Sequence, residues 1–158
     1  MNIVEKSVAA TNVIGIKTFT SSTLETDPQS ARIPELWQRL FSESIEEQIP
    51  NKVSEGLLYG IYSDYDSEQR GLFSVTAGWQ VSTVNAVPEG FVATEIPKGD
   101  YLVFIEEGDM PTVIYSTWQA ILEYFARSGG YIRAFATDFE LYNNENPNKI
   151  EIYIAIKK

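Results

Sequence analysis

The sequence predicts an α+β domain in which one strand–helix–strand–strand unit is written twice. Three observations predict it. Two helix-period segments are each followed by two strand-like runs. The halves keep step at a constant spacing of 81 residues, seen in Trp37-Gln38 and Trp118-Gln119. The chain closes on a strictly alternating strand, with isoleucine at 150, 152, 154 and 156.

The first helix is expected from about Arg32 to Gln48. Its apolar positions, Ile33, Leu36, Trp37, Leu40, Phe41 and Ile45, make one face at a 3.6-residue period. Pro34 suits a first helical turn and Pro50 ends the pattern. The second helix is expected from Thr112 to Arg127, with Ile114, Trp118, Ile121, Leu122 and Phe125 as its stripe. Asp109 is placed to cap it, Pro111 suits its first turn and Gly129-Gly130 stops it.

Strands 57–62 and 72–77 follow the first helix, and strands 138–142 and 150–156 follow the second. The polar stretches Ser63–Gly71 and Asn143–Lys149 read as their hairpin loops. Strands before the helices are expected over 13–19, and over 91–96 with 101–105, the last two joined at a tight turn, Lys98-Gly99-Asp100. Shifting by 81 puts Leu58 on Phe139, Tyr59 on Glu140, Ile61 on Tyr142 and Val75 on Ile156. The expectation is therefore a single domain over 1–158, with halves of about 1–87 and 88–158 around a pseudo-twofold axis. Helices would cover one sheet face and a ligand cleft would occupy the other.

Composition narrows the chemistry. With no histidine and no cysteine, Ser-His-Asp and Cys-His catalysis and zinc sites built on imidazole or thiolate are excluded. A carboxylate-only magnesium or calcium site stays open, but Asp64-Tyr65-Asp66 lacks the rest of a calcium loop and reads as a turn, so no metal and no cofactor is assigned. A net charge of −10 argues against direct nucleic-acid binding and mildly favours cations. No apolar run approaches the roughly 20 residues of a membrane helix, and no secretory signal opens the chain. The protein is expected to be cytoplasmic and off the membrane; its oligomeric state is left open.

Alternation within strands assigns the faces. Phe139, Leu141 and the four closing isoleucines are expected on the helix-covered side. Glu140, Tyr142, Tyr153, Tyr59 and Ile61 are expected on the opposite one. That second face is too apolar to be fully solvated, and a fully buried one would not hold an unpartnered glutamate. Glu140 is then either an ordinary strand residue, solvated or paired with an arginine such as Arg133, or the base of an aromatic-lined pocket where an organic cation supplies its partner. In the second case Tyr59, Tyr142 and Tyr153 add cation–π contact. Trp37 and Trp118 lie in the helix stripes, either as core or along a pocket edge.

Six segments together resemble the gyrase-inhibitor-like small-molecule-binding domain. They are Ile33-Pro34-Glu35-Leu36-Trp37, Tyr59-Gly60-Ile61-Tyr62, Ile96-Pro97-Lys98-Gly99-Asp100-Tyr101, the Trp118 helix, Phe139-Glu140-Leu141-Tyr142 and Ile152-Tyr153-Ile154-Ala155-Ile156. The resemblance implies the duplicated fold, and a role as the effector-binding part of AraC- or MerR-type multidrug-responsive regulators or as a stand-alone relative. It implies that Glu140 contacts a lipophilic cationic small molecule; the strand faces and helix stripes add Tyr59, Ile61, Tyr142, Tyr153, Trp37 and Trp118 as candidate ligand-binding residues. No catalytic residue is assigned. The alternatives that the resemblance carries are hydrolysis of strained electrophilic rings by the same glutamate and a gyrase-inhibitor type of protein contact. At 158 residues the chain is not expected to hold a helix-turn-helix as well, so DNA contacts would come from a separate regulator.

Overall fold

The computed structural model describes residues 1–53, 56–66, 71–127 and 130–157. Among the described residues, nine strands form the sheet: β1 (Asn2–Val8), β2 (Thr11–Ser21), β3 (Leu57–Ser63), β4 (Leu72–Gln80), β5 (Val92–Ile96), β6 (Gly99–Glu107), β7 (Ile132–Arg133), β8 (Asp138–Asn143) and β9 (Lys149–Lys157). The helices are a single turn, α1 (Ser22–Thr26), then α2 (Ile33–Ser42) and α3 (Thr112–Ala126). None of the helices is long and apolar enough to cross a membrane among the described residues.

The helix boundaries follow local chemistry. Helix α2 is shorter than its apolar period suggests: Ser44 turns left-handed at φ 51°, and Ile45–Gln48 continue as a 3-10 turn. The apolar periodicity survives that break because Ile45 still reaches the core. Pro34 does sit in the first turn of α2. The side chain of Glu25 caps that helix, accepting from the backbone N–H of Arg32 (2.8 Å) and of Ile33 (3.2 Å). Asp109 meets α3 through its carbonyl, which accepts the Val113 N–H at 2.8 Å; its side chain makes no cap. The expected stop at Gly129 lies outside the described residues, as do residues 67–70 of the first hairpin loop.

The antiparallel strand order is β1-β6-β9-β8-β3-β4-β2-β5. The expected hairpins β3–β4 and β8–β9 form. The turn after Ile96 makes no hairpin, however: β5 pairs with β2, whereas β6 pairs with β9 and β1. Each half thus lends its first strand to the other half. Laid flat, β5 and β6 would stand on the order of 30 Å apart at normal strand spacing. The two residues joining them reach only about 10 Å. The sheet must therefore curl, and the curl brings Ile96 and Tyr101 into one cluster with Val13, Tyr59, Ile61, Val103, Phe139 and Tyr153. This inner face is packed solid with buried side chains.

Both long helices lie on the outer face. Leu36 and Leu40 of α2 pack on Ile14, Ile16, Val75, Ala77 and Trp79. Val113 and Ile121 of α3 pack on Leu102, Phe104 and the four closing isoleucines. The registers show the duplication directly. Val13 pairs with Gln80 as Tyr101 pairs with Ala155, and Tyr59 pairs with Gly78 as Phe139 pairs with Tyr153. Phe139 is thus the counterpart of Tyr59 and Glu140 that of Gly60, a shift of 80 (140 minus 60), and Gly60 and Glu140 pair with each other across β3–β8.

This corrects the face expected for β8. The tryptophans are related by 81 but β3 and β8 by 80, and a one-residue slip turns every side chain of a strand to the other face. Glu140 pairs with Ile152, and Phe139 with Tyr153. Glu140 and Tyr142 therefore share the helix-covered face with the isoleucines, and Phe139 and Leu141 belong to the inner face. The cleft is accordingly on the helix side, because the opposite face is filled by its own aromatic core.

Candidate functional site

Helices α2 and α3 each cover their own half of the sheet and leave the central pair, β3 and β8, uncovered between them. A cavity of about 1460 Å³ occupies this gap, larger than most small-molecule sites. Each helix stripe divides in two. One row meets the sheet. The other, Ile33–Trp37–Phe41 on α2 and Ile114–Trp118–Leu122 on α3, lines the cavity. These rows explain why the apolar stripes are wider than sheet contact requires. They also end in exposed apolar groups, Phe41 at 65% and Leu122 at 53%.

The floor comes from β3 and β8, through Leu58, Tyr62, Glu140 and Tyr142. Glu140 is only 1% exposed. Its carboxylate accepts three hydrogen bonds, from Trp118 Nε1 at 2.6 Å and Tyr62 Oη at 3.1 Å on Oε2, and from Tyr142 Oη at 2.7 Å on Oε1. No basic side chain pairs with it among the described residues. Arg133 turns instead to the buried Asp138, at 2.8 Å.

Burial pushes the Glu140 carboxyl above its ordinary 4.5, and the three donors hold it back without cancelling the rise. Burial, and next the Glu140 charge, raise the Tyr62 and Tyr142 hydroxyls, which keeps both protonated as donors. Of the other acidic groups lining the cavity, Glu25 is committed to the N-terminus of α2. Glu140 is thus a buried acid whose partners are all neutral, at the base of an aromatic enclosure. Trp37 stands edge-on to Tyr142 with ring centroids 5.5 Å apart, and Tyr62 lies 5.1 Å from Trp118.

Of the residues singled out in the sequence, the fold brings Glu140, Tyr142, Trp37 and Trp118 together around the cavity. Tyr59, Ile61 and Tyr153 are not part of it. They lie in the inner cluster, where Phe139 stacks on Tyr153 at 4.3 Å and contacts Tyr59 at 5.9 Å. Their exclusion follows from strand parity: each is an odd number of positions from the cavity-facing residues of its own strand or of the partner strand. Sequence reasoning missed Tyr62, although the 80-residue shift makes it the counterpart of Tyr142. It also missed Phe73, which alternation on β4 puts on the helix-covered side with Val75, Ala77 and Trp79, and Tyr65 and Phe135, whose place on the wall depends on loop paths that periodicity does not encode.

Comparison with known proteins gives a consistent picture. The sequence model of the Cass2 family, described as integron-associated effector binding protein, matches residues 3–156. The transcriptional regulator BrlR of Pseudomonas aeruginosa is 31% identical over 153 residues, covering 93% of this chain and 52% of BrlR, so the chain spans about half of that relative's length. An integron cassette protein from the mobile metagenome of Vibrio cholerae superposes with a TM-score of 0.82 at 28% identity, covering 98% of this chain and 95% of that one. The structure of SAV2435 bound to tetraphenylphosphonium superposes at 0.79 with 18% identity, covering 99% and 94%; at that identity the likeness is one of fold.

Proposed function

The chain belongs to the Cass2 family of integron-associated effector-binding proteins, and from that premise we propose that it binds lipophilic organic cations in the cavity between α2 and α3, with Glu140 as the counter-charge. The observation that carries this reading is the carboxylate itself. It is 1% exposed, held by three neutral donors and paired with no cation among the described residues. An unpaired buried charge is costly, and an incoming cation offsets that cost. With little water between the charges, the attraction does not require direct contact. Trp37, Trp118, Tyr62 and Tyr142 supply π faces and edges for an aromatic cation. That SAV2435 is known bound to tetraphenylphosphonium is in keeping with a ligand of this class.

The same carboxylate could serve a hydrolase of strained electrophilic rings. Both carboxylate oxygens already accept hydrogen bonds, from Trp118, Tyr62 and Tyr142, which leaves their lone pairs less free for attack on a substrate and favours binding. In a transcriptional role, the domain would report occupancy to DNA-binding elements outside residues 1–158.

The test is a titration of tryptophan fluorescence with tetraphenylphosphonium, and with the neutral triphenylphosphine oxide as control. Glu140→Gln should weaken cation binding at least tenfold, about 1.4 kcal/mol, and leave the neutral control unchanged. Equal cation affinity in the two proteins would remove Glu140 from the site. Turnover of an epoxide that is lost in the Gln variant would favour the hydrolase instead.

A further inference from the structure

The cavity continues past Glu140 to a second polar group. Asp138 lies two residues before Glu140 on the same face of β8, about 7 Å away along the strand. Its carboxylate holds Arg133 at 2.8 Å and accepts from the Tyr65 hydroxyl at 2.5 Å. Arg133 lines the cavity. Its Nη2 serves Asp138 and Tyr65, while its Nε is a buried donor with no acceptor among the described residues. Burial alone would lower the Arg133 pKa, but the Asp138 charge and hydrogen bond outweigh it and keep the guanidinium charged.

A run of rings connects the two groups. Trp118, the donor to Glu140, lies 5.1 Å from Tyr62, which lies 5.9 Å from Phe73. Phe73 lies 6.2 Å from Tyr65, and Tyr65 lies 6.2 Å from Phe135. Phe135 covers the Arg133 guanidinium at 4.5 Å. All five rings line the same cavity. Phe135 is also 60% exposed and has φ at 52°, a backbone conformation that an aromatic residue rarely adopts. Residues held in such conformations concentrate at ligand-binding positions.

We propose that Arg133, Tyr65, Phe73 and Phe135 form a second subsite, which takes the distal aromatic part of an elongated cation and donates a hydrogen bond to a neutral acceptor on it. The acceptor is neutral because Arg133 is already balanced by Asp138, so a full negative charge would leave the pair with an excess. Two subsites joined by an aromatic wall also account for a cavity larger than a compact cation needs. This inference rests on the cation site at Glu140.

Three probes separate the two claims: tetraphenylphosphonium, (4-benzoylbenzyl)triphenylphosphonium, and its (4-benzylbenzyl) analogue, which lacks the carbonyl. The benzoyl probe should bind the wild-type protein at least fivefold more tightly than the benzyl analogue. Arg133→Lys keeps the charge beside Asp138 but loses the guanidinium fork, and should erase that preference. Phe135→Gly suits the backbone at that position. It should weaken both elongated probes at least fivefold and leave tetraphenylphosphonium within twofold of wild type. The subsite is overturned if the carbonyl preference is absent or survives Arg133→Lys, or if Phe135→Gly affects all three probes alike. If tetraphenylphosphonium fails to bind while the elongated probes bind in a Phe135-dependent way, the Glu140 reading falls and the subsite stands. If no probe binds, both fall.

Discussion

Gly60 stands directly across the β3–β8 ladder from Glu140, and its missing side chain gives the carboxylate its place. A Cβ on Gly60 would lie 3.1 Å from Glu140 Oε1 and 3.0 Å from Trp37 Cζ2. The two residues are counterparts in the duplicated units, so the repeat holds the acid in one half and an empty position in the other. Gly60→Ala should therefore displace Trp37 and crowd the carboxylate. Overpacking of this kind costs about 1–3 kcal/mol of stability, and cation affinity should fall in the protein that stays folded. Binding titrations alongside urea unfolding would check it, and unchanged affinity would count against the crowding argument.

The raised Glu140 carboxyl sets a pH dependence of known sign. Unfolded, it titrates near 4.5; folded, it titrates higher because burial disfavours the charge. Between the two values the folded state holds the extra proton, so the stabilising contribution is full below 4.5 and is lost as pH rises through the folded value. Glu140→Gln should remove this loss. The variant should therefore gain on the wild type as pH increases across that window, as measured by denaturant unfolding. For a permanent cation the sign reverses: affinity should grow as pH rises through the folded value and then level off.

Tyr142 donates to Glu140 at 2.7 Å. Tyr142→Phe deletes a donor to a charged acceptor, a bond worth about 1.5–3 kcal/mol, and the carboxyl should become harder to ionise. The pH at which cation affinity reaches half its plateau should move upward relative to wild type. A midpoint that stays put would show that this hydrogen bond does not tune the acid.

The Arg133–Asp138 pair is a stability element as well as a wall. Asp138 is fully buried and its Oδ1 also accepts the Ala155 N–H at 2.9 Å. Asp138→Asn leaves a mostly buried guanidinium without its counter-charge and should cost about 3 kcal/mol, read as a lowered urea midpoint with the slope unchanged.

The two aromatic faces can be told apart by mutation. Tyr153 is stacked on Phe139 in the inner cluster, away from the cavity. Tyr153→Ala should lower stability by about 3 kcal/mol and leave cation affinity unchanged in the fraction that remains folded. Trp118→Phe should do the opposite, weakening binding more than folding, because it removes the 2.6 Å donor to Glu140.

Much of this protein was legible in its sequence. The periods located both long helices, the paired hairpins and the strand that holds Glu140, because amphipathic periodicity is a local consequence of burying one face. Trp37 and Trp118 gave away the duplication, and the absence of histidine and cysteine limited the chemistry to carboxylate, tyrosine, lysine, serine and threonine. What alternation could not decide was which face of β8 joins which face of β9. Periodicity states which residues of one strand share a side, but the relation between strands depends on hairpin register. Here β3 and β8 repeat at 80 where the tryptophans of the two helices repeat at 81. Tertiary structure settled that Glu140 lies with Ile152 under the helices and that Tyr59 and Tyr153 lie behind the sheet. It did so because the short links around Ala9 and Pro97 force the sheet to curl, which fills the inner face and leaves the gap between α2 and α3 open over β3 and β8.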